Sequence, residues 1–303
     1  MHDFPLPTKE LQCYSYIYGR RSFSKREKVT YQTLHKGYTG EKKFAQLIRK
    51  KLTNNHLALY GLLFEDRGNL YQIDCLLIFS NQILPIEIKY FQGEYEFKDD
   101  SLLDCLHQKE YRNPLHQLKR STIYLHDLLQ KLRTKLPMQP HLVFNHEQFT
   151  LFHAKRKTPI ILPTQIHSFL NQLQQIQGVI QQHHYHLADQ LKQLHLPTSP
   201  YERLPKYEYN SLRKGVLCHH CRDKMKVHHR KLKCISCAYT ELLDSGILRN
   251  TIEFHVLFPD EKIKTGMIEE WCGGIVSRKT INRILTSYFK RHSYISGSYY
   301  TFY

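Results

Sequence analysis

Acidic residues are scarce in this 303-residue chain: 27 Asp and Glu stand against 44 Lys and Arg, for a formal net charge of +17. That imbalance leaves two readings, a merely soluble surface or a polyanionic partner, because each Lys or Arg that meets a phosphate releases a counterion. Charge alone does not separate DNA from RNA or from an anionic membrane. Long apolar runs are missing too. None approaches the ~20 residues of a spanning helix, which excludes a helical membrane protein. The opening Met1-His2-Asp3-Phe4-Pro5 lacks the basic-then-apolar pattern of a signal peptide, so a cytoplasmic location is expected. There is no internal repeat. Eight cysteines in a chain of this length do not read as a disulfide framework. What the chain does not lack is apolar and aromatic residues, 41% and 12%, which excludes wholesale disorder and supplies two or three domains with cores of their own.

Residues 1–30 mix Tyr, Ser, Arg and Lys without a clear period and read as a basic N-terminal arm. From Glu41 to Leu52, Phe44, Leu47, Ile48 and Leu52 share one helical face. Ala58 to Phe64, Tyr71 to Phe79 and Ile83 to Phe91 read as strands, separated by turns at Gly68-Asn69 and Asn81-Gln82. Leu115 to Leu132 reads as an amphipathic helix after Pro114. His141 to Asn145, Phe149 to His153 and Pro159 to Leu162 look like short strands, with a helix at Gln165 to Leu173. This alternation predicts an α/β core with a mixed sheet over residues 31–175. Gln, His and Pro dominate 176–212, a polar helix followed by an extended linker.

Cys218-x2-Cys221 and Cys234-x2-Cys237 form two matching pairs. Each pair is a tight loop offering two thiolates, and two such loops complete a tetrahedron around Zn2+. No ligand position is left open, so a zinc ion here is structural, within a ribbon over 213–245. Lys214, Arg222, Lys224 and Lys226 are candidates to offset the anionic centre.

Pro85-Ile86-Glu87-Ile88-Lys89 carries the most chemistry in the front half. Residues two apart in a strand share a face, so Glu87 and Lys89 project together, away from Ile86 and Ile88. Asp74 is a carboxylate inside an apolar run, costly to bury without a partner. A Mg2+ or Mn2+ ion shared by Asp74 and Glu87 would be that partner, polarising a phosphodiester and acidifying a bound water. Lys89 is placed to orient the water or to stabilise developing charge. Glu41 could complete the coordination, and Gln117 and Arg120, three apart on one helix face, could hold the phosphate or the water. Taken singly each has a plain alternative: an exposed strand pair, a helix-terminal acid, two surface residues.

In order, these blocks resemble a known family. Gly37-x-x-Gly40-Glu41, Gln72-Ile73-Asp74, Ile86-Glu87-Ile88-Lys89-x-x-x-Gly93 and Asn113-Pro114-x-x-Gln117-x-x-Arg120 are similar to the nuclease-related domain, or NERD, of the PD-(D/E)xK nuclease superfamily. The resemblance covers about residues 37–170. It implies a mixed sheet flanked by helices, a catalytic core of Asp74, Glu87 and Lys89, and support from Glu41 and Gln117. Cys75 departs from the family, which often has His after the aspartate. Members of the superfamily often act as dimers.

In the tail, Thr265 to Cys272 fits a helix broken by Gly273-Gly274. Ser277 is placed to cap a second helix, Arg278 to Phe289, with Ile281, Ile284, Leu285 and Tyr288 on one face. Such a pair resembles a helix-turn-helix, its second helix entering the major groove with Arg278, Lys279, Asn282 and Arg283 near the bases, and Tyr294 to Tyr303 as a wing. A small helical cap on the zinc unit is the competing reading. A zinc ribbon before a helix-turn-helix is also similar to the rear of some bacterial NERD proteins. The expectation is therefore a metal-dependent nuclease acting on double-stranded DNA, with a winged-helix-like domain over 246–303 and a role in phage or plasmid defence or in DNA repair. The alternatives are a DNA-binding regulator with a vestigial nuclease core and an RNA nuclease.

Overall fold

Apolar stripes at helical and strand spacing build two separate cores. In the computed structural model, which describes residues 4–98, 100–155, 157–294 (Tyr294 by its backbone) and 297–303, the chain divides into two units. One comprises Met1–Pro7 and Gln32–Tyr201, the other Thr8–Tyr31 and Glu202–Tyr303. The Met1-His2-Asp3 opening and residues 295–296 of the expected wing lie outside the described residues.

Residues read as an arm carry a helix, α1 (Lys9–Ile17), capped by the Thr8 side chain, which accepts from the Leu11 amide at 3.2 Å. Leu11, Cys13, Tyr14 and Ile17 are buried. The helix expected to open at Glu41 opens instead at Lys25. This α2 (Lys25–Lys51) is rich in Lys, Arg and Gln, good helix formers that leave no apolar stripe in its first half. Its residues to Tyr31 belong to the second unit and the rest to the first.

In the first unit, β1 (Leu57–Asp66) and β2 (Asn69–Ile78) form a hairpin. Arg67 and Gly68, with φ of 50° and 77°, make its two-residue loop, a conformation that matches the twist of the flanking strands. β3 (Ile83–Lys89) pairs antiparallel with β2. A segment not anticipated from the sequence follows: β4 (Gly93–Lys98), β5 (Ser101–Asp104) and β6 (Lys109–Arg112). Asp104 closes the β5–β6 turn by accepting from the Leu106 and His107 amides at 3.0 and 2.9 Å.

Asn113 caps α3 (Pro114–Lys131), its side chain accepting from the Leu115 amide at 2.9 Å. Then come β7 (His141–Phe144), β8 (Phe149–Phe152), β9 (Ile160–Ile161), α4 (Ile166–Gln174) and α5 (Gln182–Leu194). The main sheet has the order β1-β2-β3-β7-β9, antiparallel up to β3 and parallel beyond. A second sheet, β6-β5-β4-β8, is not hydrogen-bonded to it, but its Tyr95, Leu102 and Phe149 pack against Leu142 and Phe144 of β7. Phe44 and Ile48 of α2, with Leu52 just beyond its end, pack with α4 on one face of the main sheet. Leu125 and Leu129 of α3 and Leu187 and Leu191 of α5 pack on the other. The result is a mixed sheet flanked by helices.

In the second unit, β10 (Met225–His228), β11 (Lys231–Cys234) and β12 (Thr240–Leu242) form an antiparallel sheet beside the cysteines. α6 (Leu243–Leu257), α7 (Thr265–Trp271) and α8 (Arg278–Tyr288) follow. Gly273 and Gly274, both at positive φ, turn the chain between α7 and α8, and Ser277 caps α8 through the Thr280 amide at 3.3 Å. β13 (Lys290–Tyr294) and β14 (Gly297–Thr301) form a final hairpin, and Tyr300 bridges back to Ile263 just ahead of α7.

Glu253 of α6 is 1% exposed and carries three arginines: Arg20 at 2.8 Å, Arg222 at 2.7 Å and Arg249 at 3.4 Å. Arg20, also buried, donates to Asn250 Oδ1 and to the carbonyls of Arg213 and Gly215, and its guanidinium lies 3.9 Å above the Trp271 ring. One charge network thus ties the N-terminal segment, the ribbon and α6. Removing one partner of such a pair strands the others in a medium that does not solvate them. Arg20→Ala should destabilise this unit by about 3–5 kcal/mol. Denaturation followed by the fluorescence of Trp271, the sole tryptophan, measures it; an unshifted transition would contradict the role given to Arg20.

Candidate active site

The β2–β3 ladder runs from Ile78↔Ile83 to Cys75↔Ile86 and stops there. Asp74 and Glu87, next in register, fall where the strands part. Across from Asp74 on β1 lies Gly61, whose φ of +61° is costly for any residue with a Cβ. The Asp74 carboxylate replaces the missing ladder bond: its Oδ2 accepts from the Ile88 amide at 2.8 Å, and its Oδ1 from Gln72 Nε2 at 3.2 Å. Asp74 and Glu87 are both buried.

Ile86 and Ile88 join the core under α2, so strand alternation turns Glu87 and Lys89 to the α3 side. There Lys89 Nζ donates to Glu87 Oε1 at 2.6 Å and to Gln117 Oε1 at 3.0 Å. Arg120, one turn further along α3, is exposed, and its charge reaches Glu87 without a hydrogen bond. Glu41 comes from α2, close enough to feel the charges of Asp74, Glu87 and Lys89. Helix and strand meet closely here: Asn145 Nδ2 donates to the Gly40 carbonyl at 2.8 Å, and a Cβ on Gly40 would stand 2.5 Å from that of Tyr90. Gly40 is thus what permits the approach, whereas Gly37 faces open space.

Burial, then the neighbouring carboxylates, pushes Glu41 up to about 8; burial and Asp74 do the same to Glu87. Burial also raises Asp74, against the pull of Lys89 and the Ile88 amide. For Lys89 burial works downward, but the carboxylates outweigh it and keep the ammonium charged. A single lysine facing three carboxylates leaves negative charge uncompensated, and that donor set suits a hard cation. Among the described residues, however, only the four cysteines bring three or more ligand atoms of His, Cys, Asp or Glu within 4.8 Å of one another. The carboxylates do not form so tight a group.

Residues 36–145 match the nuclease-related domain, NERD. No curated protein and no solved structure matches the chain. For the matched segment, the NERD match points to a nuclease-related function and to nucleic acid as the class of substrate. No described helix is long and apolar enough to cross a membrane.

The second candidate centre is the cysteine quartet. Cys218 and Cys237 Sγ lie 3.6 Å apart, and Cys221 and Cys234 Sγ 3.3 Å. Four thiolates at ~2.3 Å from a tetrahedral zinc stand at comparable separations. Each pair ends in a residue of left-handed conformation, Arg222 at φ 61° and Ala238 at φ 57°. Burial raises Cys234, but amides of Cys237 and Ser236 outweigh it and bring it to about 7. Two of the lysines and arginines expected to offset the thiolates are engaged elsewhere: Arg222 holds Glu253 and the carbonyls of Tyr16 and Tyr18, and Lys214 lies over the Tyr209 ring. Arg249, which pairs with Glu241 and Glu253, also feels the charge of Cys218 and bonds to the Leu217 carbonyl at 2.8 Å. Nothing in its spacing from the cysteines marks it in the sequence.

On α8, Arg278 and Lys279 are exposed. Arg283 makes two bonds to Asp244, at 2.9 and 2.7 Å, and Asn282 Oδ1 accepts from the Tyr300 hydroxyl at 2.7 Å. The last two are thus held within the unit.

Between pH ~4.5 and about 8 the folded protein keeps protons on Glu41 and Glu87 that the unfolded chain has lost. Stability therefore falls as pH rises through that window, and a cation that replaces those protons binds more tightly at its upper end. Mn2+ should raise the melting temperature more at pH 8 than at pH 5.5, and Glu87→Gln should remove the difference. In the rear unit, mercurial titration of the four thiols should release one zinc per chain, and Cys234→Ser should abolish the release; purified protein with four free thiols and no zinc would refute the centre.

Proposed function

We propose that the chain is a metal-dependent nuclease that hydrolyses phosphodiester bonds in DNA, acting in the cytoplasm. The observation that carries this reading is the convergence of Glu41, Asp74, Glu87 and Lys89 at the parted strands, within the segment that matches NERD. Asp74 and Glu87, with Glu41 beside them, would hold Mg2+ or Mn2+, which when bound polarises the phosphate and acidifies water. Gln117 fixes the Lys89 ammonium from the α3 side, and Lys89 stabilises charge that develops on the phosphate. Arg120 stands on the same face of α3 to meet a phosphate oxygen. Asp74, anchored to the strand by the Ile88 amide, positions its free lone pairs with little loss of side-chain entropy on binding.

The rear unit would grip the duplex. α6, α7 and α8 followed by a hairpin that bridges back ahead of α7 follow the order of a winged helix-turn-helix, with the zinc ribbon before it. Arg278 and Lys279 are free to approach DNA on α8; Asn282 and Arg283 would have to leave Tyr300 and Asp244 to do so. A homodimer, with one site per strand, fits double-strand cutting. Phage or plasmid defence, or DNA repair, is the role in keeping with such an activity.

One observation favours a second reading, a DNA-binding regulator with a vestigial core: Lys89 already ion-pairs Glu87, and the carboxylates are not gathered within 4.8 Å. The same assay separates the two, with single-stranded DNA and RNA run alongside. Supercoiled plasmid should be cut with Mg2+ or Mn2+ and not in EDTA. Lys89→Ala and Asp74→Ala should each lower the rate by at least 100-fold, the scale of a lost charge stabiliser. Cutting that persists in both would remove the site; no cutting with any divalent ion, but retained binding, would favour the regulator.

A further inference from the structure

The close approach at Gly40 gathers four side chains that hydrolysis itself does not use. Lys43 lies three residues beyond Gly40 on α2. It donates to the Tyr90 hydroxyl, its ammonium 4.9 Å from the centre of that ring. The Tyr90 ring lies 4.7 Å from the ring of His146. Lys36, four residues before Gly40, shares its helix face with Lys43. Burial, then the charge of Lys43, lowers the basicity of His146; Glu147 pulls the other way, and Lys36 adds a smaller push downward. The Gln148 amide donates to His146 Nδ1 at 3.2 Å, which places the ring proton on Nε2. Among the described residues no partner is seen for that Nε2–H. Both lysines are exposed, and Lys43 uses one of its three protons on Tyr90.

These donors border the buried carboxylates. Glu41 is two residues before Lys43, and Lys89 directly precedes Tyr90. A carboxylate cluster repels a phosphate backbone unless a basic rim offsets it, and the rim here is pre-formed. Tyr90 restrains Lys43, the Gln148 amide sets the histidine tautomer, and a Cβ at Gly40 would push the helix away.

We propose that Lys36, Lys43 and the Nε2–H of His146 bind the phosphate backbone of nucleic acid beside the phosphate to be cut, with Tyr90 as the positioning residue for Lys43. This rests on reading the front unit as a nuclease, but binding is measured without cleavage. The experiment titrates the full chain, in EDTA, into a fluorescent 30-base-pair duplex at 50–300 mM KCl and follows anisotropy. Each phosphate contact contributes ~0.9 to the slope of log affinity against log salt. The variant Lys36→Gln/Lys43→Gln should flatten that slope by about 1.8 with an unchanged melting temperature. His146→Ala should weaken binding several-fold, and His146→Gln, which keeps a donor, should restore most of it. A slope identical to that of the native chain in the double lysine variant, at an unchanged melting temperature, overturns the proposal. A flattened slope in a protein that never cuts would keep the phosphate site and discard the nuclease reading.

Discussion

The bond from the Ile88 amide to the Asp74 carboxylate governs the front unit. A side chain takes a backbone donor that the neighbouring strand would otherwise have used. The sheet can therefore open between β2 and β3 without leaving a buried amide unpaired, a deficit that would cost ~1–3 kcal/mol. The opening gives three carboxylates and a lysine a common space while the apolar sides of the same strands stay packed under α2 and α3. Gly61 and Gly40 serve the same end, one by its backbone conformation and one by having no side chain. Charge alone would drive these carboxylates apart; the packed sheet holds them, and burial first, then their mutual repulsion, raises the proton affinities of Glu41 and Glu87.

The rear unit answers a similar problem differently. Glu253 is buried as deeply as Glu87, yet Arg222 and Arg20 hold it below the usual carboxylate value despite its burial. The compensated carboxylate reads as structure and the uncompensated ones as chemistry. Arg222 serves the compensated site twice: it takes the left-handed turn after Cys221 and sends its guanidinium to Glu253.

Much of this was legible because it rests on local rules. Two-residue periodicity in Ile86–Lys89 placed Glu87 and Lys89 on one face, and the paired C-x2-C loops marked the four thiols. Ser277 was readable as a cap; Asn113, which caps α3, was not read as one. The missed elements lack such signals. In β4 and β6, Gly-Glu-Tyr-Glu-Phe-Lys and Lys-Glu-Tyr-Arg are short and largely charged, and they become strands only because β8 and β5 lie alongside. The first half of α2 has propensity without a stripe. Arg20 looks like one basic residue among many in a Gly-Arg-Arg-Ser run; its burial depends on Asn250 and Glu253, more than 200 residues away. Tyr90, Asn145 and His146 were likewise invisible, since their meeting depends on how closely a helix can approach a strand.

The division of the chain bears on how it is made. The second unit takes Thr8–Tyr31 from the beginning and Glu202–Tyr303 from the end. On the ribosome its first piece emerges with Arg20 and α1 and must wait for about 170 further residues, roughly 10–30 s at ordinary rates of synthesis, before the second piece begins at Glu202. By the end of that interval the unit with the buried carboxylates has everything it needs to fold. Maturation is thus ordered by topology: the front unit is complete before the ribbon and three-helix region, whose charges close around a segment made earlier.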